Sequence, residues 1–247
     1  MAEWFGRSFK NYDFQMFSLS HFVVISIFIL VSILIFLFKD KLKAEEWRYV
    51  EFGVAISLII METTYHLWML LNGSWHVSHA IHLELCGISL ILTVILLLIR
   101  NKLIYEILLF TALLGASQAL FTPLLNYDFP HFRFFHFFYT HLMIIWVPLY
   151  FTWAKRYRPS IWSVLKLFIF LNVLMPVIML INKLVGGNYM FLRHKPRSAS
   201  LLDVLGPYPW YILSLEGLLI SFSLIVWFLF REKAVKKAKV TRNLPIQ

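Results

Sequence analysis

The stretch His79-Ala80-Ile81-His82-Leu83-Glu84-Leu85-Cys86-Gly87-Ile88-Ser89 runs directly into Leu90-Ile91-Leu92-Thr93-Val94-Ile95-Leu96-Leu97-Leu98-Ile99. At ~1.5 Å per helical residue, residues 79–99 are long enough to cross ~30 Å of hydrocarbon. From Ile88 to Ile99 the run carries no charge. Read as one transmembrane helix, the stretch puts His79, His82 and Cys86 in one narrow wedge, because residues three, four and seven apart share a face. Ser89 and Thr93 extend that wedge, and Glu84 points to the other side. Cys86 is the only cysteine in the chain. Imidazoles above a thiol inside a bilayer read either as chemistry or as a satisfied polar seam.

The same reading extends over all 247 residues, of which 60% are hydrophobic and 15% charged, against about half and a quarter in soluble domains. Mean hydropathy is +0.73. The expected fold is all-α: one polytopic domain, a bundle of seven transmembrane helices at about 18–38, 49–71, 79–99, 104–122, 135–154, 161–183 and 210–230. Residues 1–18 contain no signal-type apolar core, so no cleaved signal peptide is expected. Fifteen Lys and Arg fall in 39–48, 100–103, 155–160 and the basic tail 231–247, seven fall in the alternate segments, and Lys166 snorkels from a span. That asymmetry orients the N-terminus outside and the C-terminus, with its tail, in the cytoplasm of a multi-pass cell-membrane protein. It also accounts for the formal charge of +10, so no nucleic-acid partner is expected. A single cysteine excludes an internal disulfide and a Cys-rich metal centre.

Ionisable groups inside lipid are costly, and each one in a span needs a reason. Glu62, His66, Cys86, Gln118, His141 and Glu216 come from five spans and lie between ~6 and ~13 Å below the outer ends of their helices. That shared depth points to a polar cavity in the outer half of the membrane. Plainer readings exist: Glu62 and His66, four apart, can satisfy each other. His136 reads as a rim residue among phenylalanines, and Gln118 as interhelical glue. His79, His82 and Cys86, with Glu62 as a fourth group, have zinc-ligand chemistry. Because His79 sits near the water boundary, no metal and no cofactor is expected.

Four longer stretches carry a family resemblance: Leu85-Cys86-Gly87-Ile88-Ser89; Phe129-Pro130-His131-Phe132-Arg133-Phe134-Phe135-His136-Phe137-Phe138, followed by His141; Asn188-Tyr189-Met190-Phe191-Leu192; and Ser200-Leu201-Leu202-Asp203-Val204-Leu205-Gly206-Pro207-Tyr208-Pro209-Trp210-Tyr211. Over roughly residues 15–230 the chain resembles the bacterial YwaF-like integral membrane proteins, related to the animal transmembrane protein 164 family. The resemblance implies a lipid acyltransferase with a catalytic cysteine and histidine, which fall here at Cys86 and His141. More distant androgen-induced hydrolases cleave fatty esters with threonine and histidine. The family usually has Pro four residues before the cysteine and His two before it, where this chain has His82 and Glu84.

Together these readings imply acyl transfer or ester hydrolysis on a membrane phospholipid or other lipid. Cys86 attacks the ester carbonyl, and His141 takes the thiol proton and returns it to the leaving alcohol. Gln118, Asn188 or Tyr189 donates to the oxyanion. Arg133 pairs with a lipid phosphate, and Glu62, His66 and His82 line the substrate side. The alternative is a lipid-binding protein or a transporter of a small or amphipathic molecule, without chemistry, in which Asn172 and Pro176 mark a hinge.

Overall fold

A computed structural model describes residues 3–8, 12–196 and 201–232. The basic tail beyond Glu232 lies outside the described residues. Among the described residues the regular structure is all helical apart from one isolated bridge between Asp13 and Tyr127. The principal helices are α1 (Leu19–Leu37), α2 (Arg48–Leu71), α3 (Leu85–Ile99), α4 (Lys102–Phe121), α5 (Phe132–Trp153), α6 (Ile161–Val185) and α7 (Trp210–Phe230). Six of them are long and apolar enough to cross a membrane, and α3 is shorter. This is a polytopic membrane protein.

The short helix is the main departure from the periodicity reading. α3 has 15 residues and starts at Leu85, so residues 79–84 are not helical. Non-helical backbone beside spanning helices needs partners supplied by protein. Here the Tyr189 hydroxyl, from a loop over a hundred residues away, donates to Val77 O at 2.7 Å and accepts from Ile81 N at 3.0 Å. The segment then folds back on the first turn of α3. A Cβ at Gly87 would sit 3.0 Å from His82 Cα, so glycine permits the approach. On its other side α3 meets a one-turn π-helix in α4, Ala112–Ala116. There a Cβ on Gly115 would lie 3.1 Å from Leu85 Cδ2. π-turns of this kind are frequent at functional sites.

α3 packs on α2, α4 and α5, and α5 also packs on α1. α6 and α7 pair with each other, and α6 leans on α4. One end of the α2–α3–α5 group is closed by a knot of charge. Glu51, only 3% exposed, accepts from Arg100 Nε (2.7 Å), the second Arg100 nitrogen (2.9 Å), Arg48 (2.8 Å) and the Tyr150 hydroxyl (2.6 Å), with Lys155 Nζ at 3.6 Å. Lys166, read as a snorkelling lysine, is ion-paired with the buried Glu106 at 2.6 Å.

The other end of the group is capped by the N-terminal segment. Trp68 Nε1 donates to Phe5 O at 2.9 Å, and Phe5 packs on Phe132. His131, the N-cap of α5, receives the Arg133 N–H on Nδ1 and so donates from Nε2 to Gly6 O at 2.9 Å. Burial holds its imidazole below the ordinary histidine value.

Candidate functional site

Beneath that cap, between α2, α3 and α5, lies a cavity of about 180 Å³. Glu62 and Tyr65 reach it from α2, and Cys86, Gly87 and Leu90 from α3. His136, Thr140, His141 and Ile144 reach it from α5, and the non-helical segment brings His79, His82 and Glu84. Cys86 and His141 therefore face one space, as do Glu62 and His82.

The hydrogen bonds here have a defined direction. Arg133 is a permanent donor, and its guanidinium meets His136 Nδ1 at 2.7 Å. That nitrogen must accept, so the proton sits on Nε2 and is donated to Glu62 Oε2 at 2.9 Å. A second chain starts at Trp75, whose indole N–H donates to His66 Nδ1 at 3.0 Å. His66 then donates from Nε2 to His82 Nδ1 (3.4 Å), and His82 donates from Nε2 to Glu62 Oε1 (2.6 Å). Two relays of imidazoles thus converge on one carboxylate. Arg133 is held in place by stacking 4.0 Å over the Tyr65 ring.

This arrangement revises two readings of the local sequence. Glu62 and His66 are 4.0 Å apart and do not chiefly satisfy each other, because the carboxylate is taken by histidines from elsewhere in the chain. His136 is not a rim residue: it is 7% exposed and lines the cavity. Among the described residues, those close enough to share a metal are Glu62, His66 and His82, rather than a set built on His79 and Cys86. In the relay just traced, however, the nitrogens of His66 and His82 are engaged in hydrogen bonds that a metal would have to displace.

The relay makes a specific prediction. In Glu62→Gln one carbonyl oxygen replaces two acceptors, and the amide N–H₂ must face an imidazole N–H. Neither histidine can switch tautomer freely, since Arg133 and Trp75 hold the distal Nδ1 positions. Leaving one buried donor opposed by another should cost about 1–3 kcal/mol. Thermal unfolding of purified protein measures it, and wild-type stability would show that the carboxylate is not the common acceptor.

His141 differs from its neighbours. Its Nδ1–H is donated to Phe137 O at 2.7 Å, which leaves Nε2 with its lone pair. Among the described residues no hydrogen bond joins it to Cys86, which is a free thiol. Cys86 itself sits in the first turn of α3. Glu84, the N-cap, provides no side-chain cap, because its carboxylate is turned to the Met190 N–H at 2.9 Å. The first bond into the helix is Ile88 N–H to Glu84 O, so the N–H groups of Cys86 and Gly87 precede the helical ladder.

Other residues named from the sequence lie elsewhere. Gln118 is exposed. Asn188 is occupied by its own loop, donating to His194 O at 2.8 Å. Tyr189 is the clamp on Val77 and Ile81 described above. Glu216 takes a hydrogen bond from Asn172 at 3.3 Å, between α7 and α6.

Neither a curated protein nor a solved structure matches the chain. A model of the TMEM164 family matches residues 16–228, a range that includes every residue lining the cavity, and the chain belongs to that family.

Proposed function

We propose that the cavity is an acyl-transfer site acting on membrane lipid, with Cys86 as nucleophile and His141 as base. The observation that carries this reading is that the only thiol and an imidazole with an uncommitted nitrogen face the same space. His141 Nε2 takes the thiol proton, and the sulfur attacks the ester carbonyl of a phospholipid. The ester C–O bond breaks, and His141 returns the proton to the departing alkoxide. The acyl group is then held as a thioester until an acceptor alcohol or water, deprotonated by the same nitrogen, takes it. The N–H groups of Cys86 and Gly87, at the positive end of the α3 dipole, stabilise the oxyanion. They take the role first assigned to Gln118, Asn188 or Tyr189. Apo geometry without a thiol–imidazole bond agrees with a pair that tightens once substrate is bound.

Intact-mass measurement of protein incubated with phospholipid vesicles tests the reading. One acyl adduct that hydroxylamine removes is expected, and no adduct under any acceptor-free condition would overturn it. The same preparation should hold no stoichiometric zinc, given the hydrogen bonds that engage His66 and His82. A non-catalytic lipid-binding or transport role is the second reading. It draws on the unmade Cys86–His141 bond and predicts the same lipid occupancy with no thioester.

Seven spans, an outside N-terminus and a location in the cell membrane complete the proposal, supported by the distribution of Lys and Arg. α3, with the chain before it, serves as the short seventh crossing. Reporter fusions after Asn72 and Gln247 should report exterior and cytoplasm; both on one side would overturn the seven-span count and with it the shared depth, and the exchanged result would reverse the orientation.

A further inference from the structure

A second and larger cavity, of about 410 Å³, opens at the opposite end of the bundle from Cys86, within the size range of small-ligand sites (~300–1,000 Å³). Its walls are the start of α4 (Lys102), the turn after α5 (Arg156, Arg158), the start of α6 (Ser160) and the end of α7 (Trp227, Arg231). Four cations line it against one carboxylate, Glu232. Among the described residues no carboxylate is ion-paired with Lys102, Arg158 or Arg231, and Arg156 has only a loose contact with the exposed Asp40 at 3.7 Å. Arg158 is held in place by carbonyl acceptors, Tyr157 O at 3.0 Å and Thr152 O. These fix its position without neutralising it. α6 begins at this wall, so its dipole adds positive potential.

The rim indicates the source of the missing negative charge. Arg231 lies over the rings of Trp227 (5.2 Å) and Phe228 (4.6 Å). Phe228 is 61% exposed on a helix of membrane-spanning length. An aromatic rim continuous with the apolar flank of a spanning helix, around a basic cavity, is suited to a headgroup whose acyl chains run down the outside of that helix.

We propose that this cavity binds the phosphate of an anionic membrane lipid, with Lys102, Arg156, Arg158 and Arg231 around the phosphate and Trp227 at the glycerol level. The site is independent of the acyl-transfer reading, since none of its residues touches the Cys86 cavity. It holds a resident lipid as a structural ligand at the water boundary.

The test uses the full chain in nanodiscs of phosphatidylcholine doped with phosphatidylglycerol, with retained lipid counted by native mass spectrometry. Wild type should retain phosphatidylglycerol selectively. Lys102→Gln/Arg231→Gln alters two exposed side chains, of which Arg231 touches only the rim rings Trp227 and Phe228, and should weaken retention about thirtyfold. The charge-preserving Lys102→Arg/Arg231→Lys should restore it, separating charge from folding. Lys236→Gln/Lys237→Gln, in the basic tail, should behave as wild type. Equal retention by wild type and the pocket double variant would overturn the site, as would loss of retention in the tail variant alone. Inorganic phosphate in excess should not strip the lipid; if it does, the ligand is free phosphate and the lipid assignment falls.

Discussion

Cys86→Ser should abolish the acyl adduct while leaving expression and helicity unchanged. Serine is close to cysteine in size, Cys86 is in no disulfide, and among the described residues its thiol makes no hydrogen bond. A hydroxyl in that position is a far weaker nucleophile than a thiol with the same base. The informative comparison is among the histidines. His141→Ala should slow transfer by about 10²–10⁴, the usual worth of a general base. His136→Ala removes a residue that also faces the cavity, but both nitrogens of His136 are committed, one to Arg133 and one to Glu62. It cannot take a proton from sulfur without breaking that relay, so its loss should slow transfer much less. Labelling by a thiol probe bearing an acyl chain gives the same ranking without knowledge of the lipid, and is unambiguous because Cys86 is the only cysteine. Equal labelling rates in wild type and His141→Ala would remove the pair and leave Cys86 as a packing residue.

The all-helical fold was legible from hydropathy alone, because lipid leaves the backbone few alternatives to helix. Residues 79–84 were not legible. Their spacing fits a helix, and what prevents one is the Tyr189 hydroxyl, whose distance in sequence no local pattern carries. That shift has a chemical consequence: it moves Cys86 from the interior of a helix to its first turn, beside free N–H groups. The polar convergence of Glu62, Cys86 and His141 was readable from shared depth. The partner of each group was not. Glu62 has a plausible local mate in His66, yet His82 and His136 take its oxygens. Gln118 and Glu216 share the same depth but lie on faces turned away from the cavity, and depth says nothing of rotation about a helix axis. Lys166 looked self-sufficient because its partner, Glu106, is acidic and deeply buried, a pairing visible only once α4 and α6 are side by side.

Glu51→Ala should be the most destabilising single change outside the cavity, by about 3–5 kcal/mol, the cost of removing one partner from a buried ion network. The carboxylate is the one acidic group common to Arg48, Arg100 and Lys155, and Tyr150 donates to it as well. Without it, three cations face one another across a buried gap, and the exposed Glu45 is left to offset them. The effect should also reach the site. Arg48 and Glu51 belong to α2, Arg100 closes α3, and Tyr150 and Lys155 lie at the end of α5. The far halves of those same three helices bring Glu62, Cys86 and His141 to the cavity. A helix is stiff along its axis, so loosening the knot lets α3 slide against α5 and spoils the approach of sulfur to imidazole. Glu51→Gln keeps a carbonyl acceptor for one arginine and should fall between alanine and wild type in both stability and labelling rate. Thermal unfolding and Cys86 labelling on the same preparations check this. A Glu51→Ala protein that melts like wild type would show that the arginines find other partners, and that helix packing alone sets the geometry of the cavity.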